Sequence, residues 1–321
     1  MFNAQLSMFK GQGKELEIRD LETEEKFEMI DLSDKRNQGA ISFVECPRDA
    51  MQGWKSFIPT AQKVEYLNAL LKVGFDTLDF GSFVSPKAIP QMADTKEVLA
   101  QLDLSESKTK LLAIVANTRG AEEAVSFSPI TYLGFPFSIS PTFQQRNTNS
   151  TIEESLHRVE EIQNLCVRHN KQLVIYLSMG FGNPYGDEYN EAILLKWADE
   201  MVKRNIQILS LADTVGVATP EQITHALQTL IPQYPQATIG VHLHSTAHNW
   251  EDKLAAAYEA GCNRFDGALK GIGGCPMAKD DLVGNMTTEW MLDYFEKKGD
   301  PLFINKEALQ HSLLLANEIF V

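Results

Sequence analysis

Eight short apolar runs, helix-like stretches between most of them, and ionisable residues gathered where the runs end predict an α/β chain folded as a (β/α)8 TIM barrel. The runs are residues 41–45, 75–80, 111–115, 131–138, 173–178, 208–213, 238–244 and 264–269. Amphipathic stretches such as 60–73 and 152–169 lie between them, and strands that alternate with helices imply parallel pairing through crossovers. A doubly wound open sheet is the alternative. It is disfavoured because no GxGxxG follows the first run.

Taken in order, residues 1–39 read as an acidic N-terminal arm. Its KELEIRDLETEEKFEMIDLSDK stretch is poorly periodic and suits a flexible or loosely docked segment. Residues 40–321 read as the barrel domain, closed by a short C-terminal helical extension. The first run leads into Cys46-Pro47-Arg48-Asp49-Ala50-Met51-Gln52, and the second contains Asp79. The third leads into Asn117, the sixth ends at Asp213, the seventh supplies His242 and His244, and the eighth leads to a glycine-rich loop with Cys275, then Gly284-Asn285. Barrel enzymes build their sites at the C-terminal ends of the strands, so this placement is the one expected of an enzyme.

The residue types narrow the chemistry. Strand side chains alternate faces, so His242 and His244 point the same way. Two converging imidazoles suit a divalent metal once a carboxylate or amide completes the shell. An adjacent Arg-Asp pair is by itself an ordinary local ion pair. At a barrel mouth, Arg48 can instead stabilise an oxyanion. Cys275, flanked by Gly274 and Pro276, sits in a loop rather than on an element, where a thiol can react.

Composition excludes other classes. The chain has 321 residues, 44% of them hydrophobic, and a formal charge of −14, which argues against nucleic acid or an anionic membrane as partner. Four cysteines without CxxC spacing suit a reducing compartment. No run is long enough to span a membrane and no targeting pattern opens the chain, so a cytoplasmic location is expected.

Six motifs in order, ECPRDAMQGWK, GSFVSPKAIPQMADT, RNTNSTIEES, LADTVGVATP, VHLH, and GIGGCP with a following GN, resemble the TIM-barrel metallolyases typified by 3-hydroxy-3-methylglutaryl-CoA (HMG-CoA) lyase. The resemblance covers roughly residues 40–295. It implies metal-dependent retro-Claisen cleavage of HMG-CoA to acetoacetate and acetyl-CoA, with Mg²⁺ or Mn²⁺ as cofactor, a small acyl-CoA as the substrate partner, and a homodimer. It further implies Asp49, His242, His244 and Asn285 as metal ligands and Arg48, Asp79, Asp213, His242 and Cys275 as catalytic groups. Arg48 would stabilise the enolate, and Asp213 would act as general base or orient it. Asp79, where the family's lyases carry Glu, would hold a metal-bound water or Arg48, and Cys275 would protonate the enolate carbon or gate the site. Gln52, Lys55 and Asn117 are implied as substrate-binding positions, the last two near the CoA end.

Four departures accompany the resemblance. Ala50-Met51 replaces Gly-Leu, Ser245 replaces an acid or amide, Asn183 replaces a cysteine, and the loop between Cys275 and Asn285 is one residue longer. A condensing synthase or aldolase of the same superfamily is the competing reading, with a lapsed metal- or CoA-binding member behind it. GIGGCP, and a sequence without a C-terminal regulatory domain, speak against the synthase.

Overall fold

The computed structural model describes residues 40–274 and 283–321, so the acidic arm and Cys275 lie outside the described residues. In chain order the strands are β1 (Ser42–Glu45), β2 (Thr77–Ser82), β3 (Lys110–Ile114), β4 (Ile130–Ser138), β5 (Gln172–Ser178), β6 (Ile208–Ala212), β7 (Thr238–His242), β8 (His244–Ser245), β9 (Arg264–Gly267) and β10 (Gly284–Asn285). All but β8 and β10 join one closed parallel barrel, in which β1 pairs with both β2 and β9. Closure removes the open-sheet alternative. Barrel strands are buried on nearly every residue, as in TLDFGS of β2 and ILSLA of β6, because helices cover one face and the packed interior the other.

The helices are α1 (Pro47–Gln52), α2 (Thr60–Val73), α3 (Thr95–Leu99), α4 (Thr118–Val125), α5 (Pro141–Thr148), α6 (Ile152–Arg168), α7 (Glu191–Lys203), α8 (Pro220–Gln233), α9 (Trp250–Glu259), α10 (Thr288–Lys298) and α11 (Lys306–Ile319). Their starts are written locally. Thr151 and Thr219 form capping boxes with Glu154 and Gln222, which satisfy donors at the heads of α6 and α8. The C-terminal extension, α11, packs on α2. Asn305 N donates to Val73 O at 2.8 Å, and Phe320 lies edge-on to Trp54 and Tyr66. No helix among the described residues is long and apolar enough to cross a membrane.

The seventh run departs from expectation. It is two strands, because the chain leaves the barrel ladder after His242 and His244–Ser245 pairs antiparallel with Gly284–Asn285. The second run is displaced, covering 77–82 rather than 75–80.

Glu45 ties the last strand to the first. It is fully buried, and its carboxylate accepts hydrogen bonds from Leu269 N at 2.8 Å and Thr288 Oγ1 at 2.6 Å, joining β1 to the chain after β9 and the head of α10. Burial pushes its carboxyl up to about 8 against the two hydrogen bonds. Between an ordinary carboxylate pKa and about 8 the folded chain therefore holds a proton that the unfolded chain has released. This contribution is complete at low pH and is lost as pH rises through about 8. Glu45→Gln should flatten that slope and leave the variant a few kcal/mol more stable than wild type at pH 9, measured by urea unfolding across pH 5–9. Parallel profiles for the two proteins would refute this account.

Candidate active site and metal centre

The site forms at the C-terminal end of the barrel from four pieces of chain. After β1 the chain turns at once into α1, with Pro47 in the first turn supplying a helical φ where no donor is needed. This short helix puts Arg48 and Asp49 side by side, 8% and 7% exposed. Asp79, 1% exposed on β2, faces Arg48. Arg48 Nε donates to Asp79 Oδ1 and Oδ2 at 3.2 and 3.0 Å, and Nη2 donates to Oδ2 at 2.5 Å. Arg48 Nη1 donates to Asp49 Oδ1 at 3.1 Å and to Gln52 Oε1 at 2.8 Å. Gln52 Nε2 returns a bond to Asp49 Oδ1 at 2.9 Å. The guanidinium is thus fixed by a forked bond on one side and a Gln-Asp clasp on the other.

Strand register brings in the histidines. His242 ends β7 directly beside Asp266 of β9, and His242 Nδ1 lies 3.3 Å from Asp266 Oδ2. Asp266 is held in turn by Arg264 Nη1 at 2.9 Å. In the small ladder, His244 is register-paired with Asn285. His244 Nδ1 lies 2.9 Å from Val283 O, so it carries the proton and donates to that carbonyl. With both Nδ1 atoms occupied, the two Nε2 atoms face each other at 3.3 Å. Two imidazole lone pairs at that distance repel unless a proton or a cation lies between them.

The donor set fits a divalent cation. Ligand atoms of Asp49, His242 and His244 all lie within 4.8 Å of one another. Burial and the neighbouring His242 hold His244 below the ordinary imidazole range, in the neutral form that coordinates. Burial would raise Asp49, but Arg48, His242 and His244 outweigh it and hold its carboxyl at about 2, so it is ionised. Asn285 donates Nδ2 to Asp49 Oδ2 at 2.7 Å and to Ile272 O at 2.9 Å, so Oδ1 is the atom with which it could face a cation. Gly273 closes this corner with φ +120°. A Cβ there would lie 2.3 Å from Asn285 Nδ2 and 2.9 Å from Asp49 Oδ2, so only glycine leaves room for the Asp49–Asn285 contact.

Arg48, Asp49, Gln52, Asp79, His242, His244 and Asn285 are therefore brought together. The others are not. Asp213 has both carboxylate oxygens committed, Oδ1 to Ala218 N at 3.0 Å and Oδ2 to Lys253 Nζ at 2.7 Å, so its side chain is turned to that lysine and only its backbone N, bonded to His242 O, touches a residue of the cluster. Lys55 is exposed on a loop pinned by Gln91, whose side chain bonds Trp54 O, Ser56 O and Ile58 N. Asn117 is exposed and caps α4, accepting from Gly120 N at 2.9 Å. Asn183 closes a turn, its Oδ1 accepting from Tyr185 N and Asp187 N. Ser245 is buried and donates to Met286 Sδ at 3.4 Å. Asp266, Gly273 and Lys253 escape a linear reading, although the alternation of Arg264 and Asp266 within an otherwise apolar strand was a signal for the first.

The chain matches the HMGL-like family model over residues 41–317. It is 32% identical over 255 residues to the hydroxymethylglutaryl-CoA lyase of Bacillus subtilis, covering 78% of this chain and 84% of that protein. With the cytoplasmic 3-hydroxy-3-methylglutaryl-CoA lyase of Rattus norvegicus it shares 31% identity over 76% of this chain and 70% of the relative. Among solved structures, an HMG-CoA lyase from Acinetobacter baumannii in complex with coenzyme A and 3-methylmalate superposes with a TM-score of 0.81 at 31% identity, covering 88% of this chain and 92% of that one.

Proposed function

The chain belongs to the HMGL-like family, and from that premise we infer that it is a carbon–carbon lyase that cleaves HMG-CoA to acetoacetate and acetyl-CoA. The observation that carries this reading is a fixed guanidinium hydrogen-bonded to a carboxylate of the Asp49–His242–His244 cluster. Cleavage must deprotonate a tertiary hydroxyl and release the departing carbon as an enolate. A divalent cation, Mg²⁺ or Mn²⁺ in this reading, would be held by Asp49, His242, His244 and Asn285 and would acidify the hydroxyl.

The remaining work falls to the chain's own groups. Arg48 turns the one N–H that Asp79, Asp49 and Gln52 leave unengaged, on Nη2, to the thioester oxygen as negative charge develops there, and Asp79 and Gln52 hold it in that direction so that little reorganisation accompanies the reaction. Burial, with Asp49 and Asp266 nearby, pushes the Asp79 carboxyl above the usual carboxylate range in spite of Arg48. Asp213, held as the partner of Lys253, acts in this reading by orienting the ends of β6 and β7 rather than by accepting a proton. Protonation of the enolate carbon falls to Cys275, as expected from the sequence. Lys55 and Asn117 meet the CoA moiety from the rim, and the solved relative bound to coenzyme A supports an acyl-CoA substrate. A homodimer and a cytoplasmic location complete the reading.

The experiment is release of acetyl-CoA and acetoacetate from HMG-CoA by enzyme stripped with EDTA, then reloaded. Activity should vanish on stripping and return with Mg²⁺ or Mn²⁺. Metal-loaded enzyme that leaves HMG-CoA intact would overturn the named substrate, and formation of a condensation product from acetyl-CoA would favour the synthase reading.

A further inference from the structure

The side chain of Lys253 is 2% exposed on the first turn of α9, and it serves neither the reaction nor the surface. A buried ammonium must have its protons satisfied. Here Nζ donates to Asp213 Oδ2 at 2.7 Å, to His244 O at 2.8 Å and to Gly216 O at 3.0 Å. These acceptors lie just beyond β6, on β8 next to β7, and in the turn that leads to α8. Gly216 has φ +73°, and a Cβ added to it would lie 2.8 Å from Val283 Cγ1, so the Gly216 turn rests against Val283. Val283 O in turn accepts the Nδ1 proton of His244. One ammonium therefore grips the main chain of His244 directly and supports, through Gly216 and Val283, the carbonyl that orients its ring.

Resting on the metal-site reading above, we propose that Lys253 is a positioning residue for His244, setting where that imidazole presents Nε2 to the cation. Asp213 neutralises the ammonium, and its own backbone N donates to His242 O at 3.0 Å, so the same knot also reaches the other histidine. A cation held by misaligned ligands binds more weakly, and loss of a supporting group beyond the ligands typically lowers metal affinity 10–100-fold.

The test measures Mn²⁺ affinity by the EPR signal of free ion and the visible spectrum of the Co²⁺-loaded protein, neither of which reads activity. Wild type should bind Mn²⁺, and failure to do so would sink the metal-site reading itself. Given binding by wild type, Lys253→Gln should weaken Mn²⁺ affinity about 10–100-fold and change the Co²⁺ spectrum. Wild-type affinity and spectrum in that variant would overturn the proposal and leave the metal site standing. Because Lys253→Gln strands a buried carboxylate, the pair Asp213→Asn/Lys253→Met is measured beside it. This variant carries no unpaired charge but still lacks the bonds to His244 O and Gly216 O. Weak binding there supports positioning, whereas recovery of wild-type affinity would reduce Lys253 to charge balance and refute it.

Discussion

Arg48→Gln, saturated with Mn²⁺, should cleave HMG-CoA with kcat lowered by about 10³, the scale of losing one preorganised oxyanion donor, while KM changes little. Glutamine keeps one donor and some length but loses the charge and the fork that Asp79 grips through Nε and Nη2. Arg48→Lys should fall nearly as far, because an ammonium offers no planar pair of donors to a carboxylate and a substrate oxygen at once. The variant also strands Asp79 in a buried site, and breaking such a pair destabilises a protein by about 3–5 kcal/mol. Thermal unfolding measured in parallel separates the two effects, since turnover is assayed well below the melting transition. A folded, metal-loaded Arg48→Gln with kcat within tenfold of wild type would remove Arg48 from the chemistry and leave it a structural ion pair.

Much of this was written where a linear reading could see it. The barrel was legible because each strand is a short apolar run and each helix carries its own start signal, as Thr151 and Thr219 do. The pairing of His242 with His244 was legible because they fall two apart on one strand, whereas Asp49 was put beside them by the resemblance, and the three side chains do lie together. What stayed hidden depends on register and closure. Asp266 matters because β7 and β9 align it with His242, a pairing across 24 residues that no local pattern encodes. Lys253 sits in an amphipathic helix where a lysine ordinarily reads as solvated, and only the packing of α9 against the strand ends turns it inward. Asp213 was visible as a carboxylate at a strand end, but its role depends on that same lysine. The break after His242 was hidden too, since the partner of β8 comes 39 residues later.

Asp49→Asn should lower Mn²⁺ affinity by at least about 10²-fold and cut HMG-CoA cleavage to a slow rate measurable only in single turnover, because one substitution undoes two functions. The carboxylate is acceptor-only. Oδ1 takes bonds from Arg48 Nη1 and Gln52 Nε2, and Oδ2 takes one from Asn285 Nδ2 at 2.7 Å. An amide must turn its NH₂ toward one of these donors, so either the arginine clasp or the Asn285 contact opens, and the negative charge that faces both imidazoles is gone. The corner beside Gly273 is tight, since a Cβ there would lie 2.3 Å from Asn285 Nδ2 and 2.9 Å from Asp49 Oδ2. If Arg48 and Asp49 work as one unit, their losses will not multiply. Arg48→Gln/Asp49→Asn should be no slower and bind Mn²⁺ no more weakly than Asp49→Asn alone. The check is Mn²⁺ titration with single-turnover cleavage for all three variants. Losses that multiply would mean that the 3.1 Å contact between Arg48 Nη1 and Asp49 Oδ1 joins two independent devices, and that the guanidinium is oriented by Asp79 and Gln52 without Asp49.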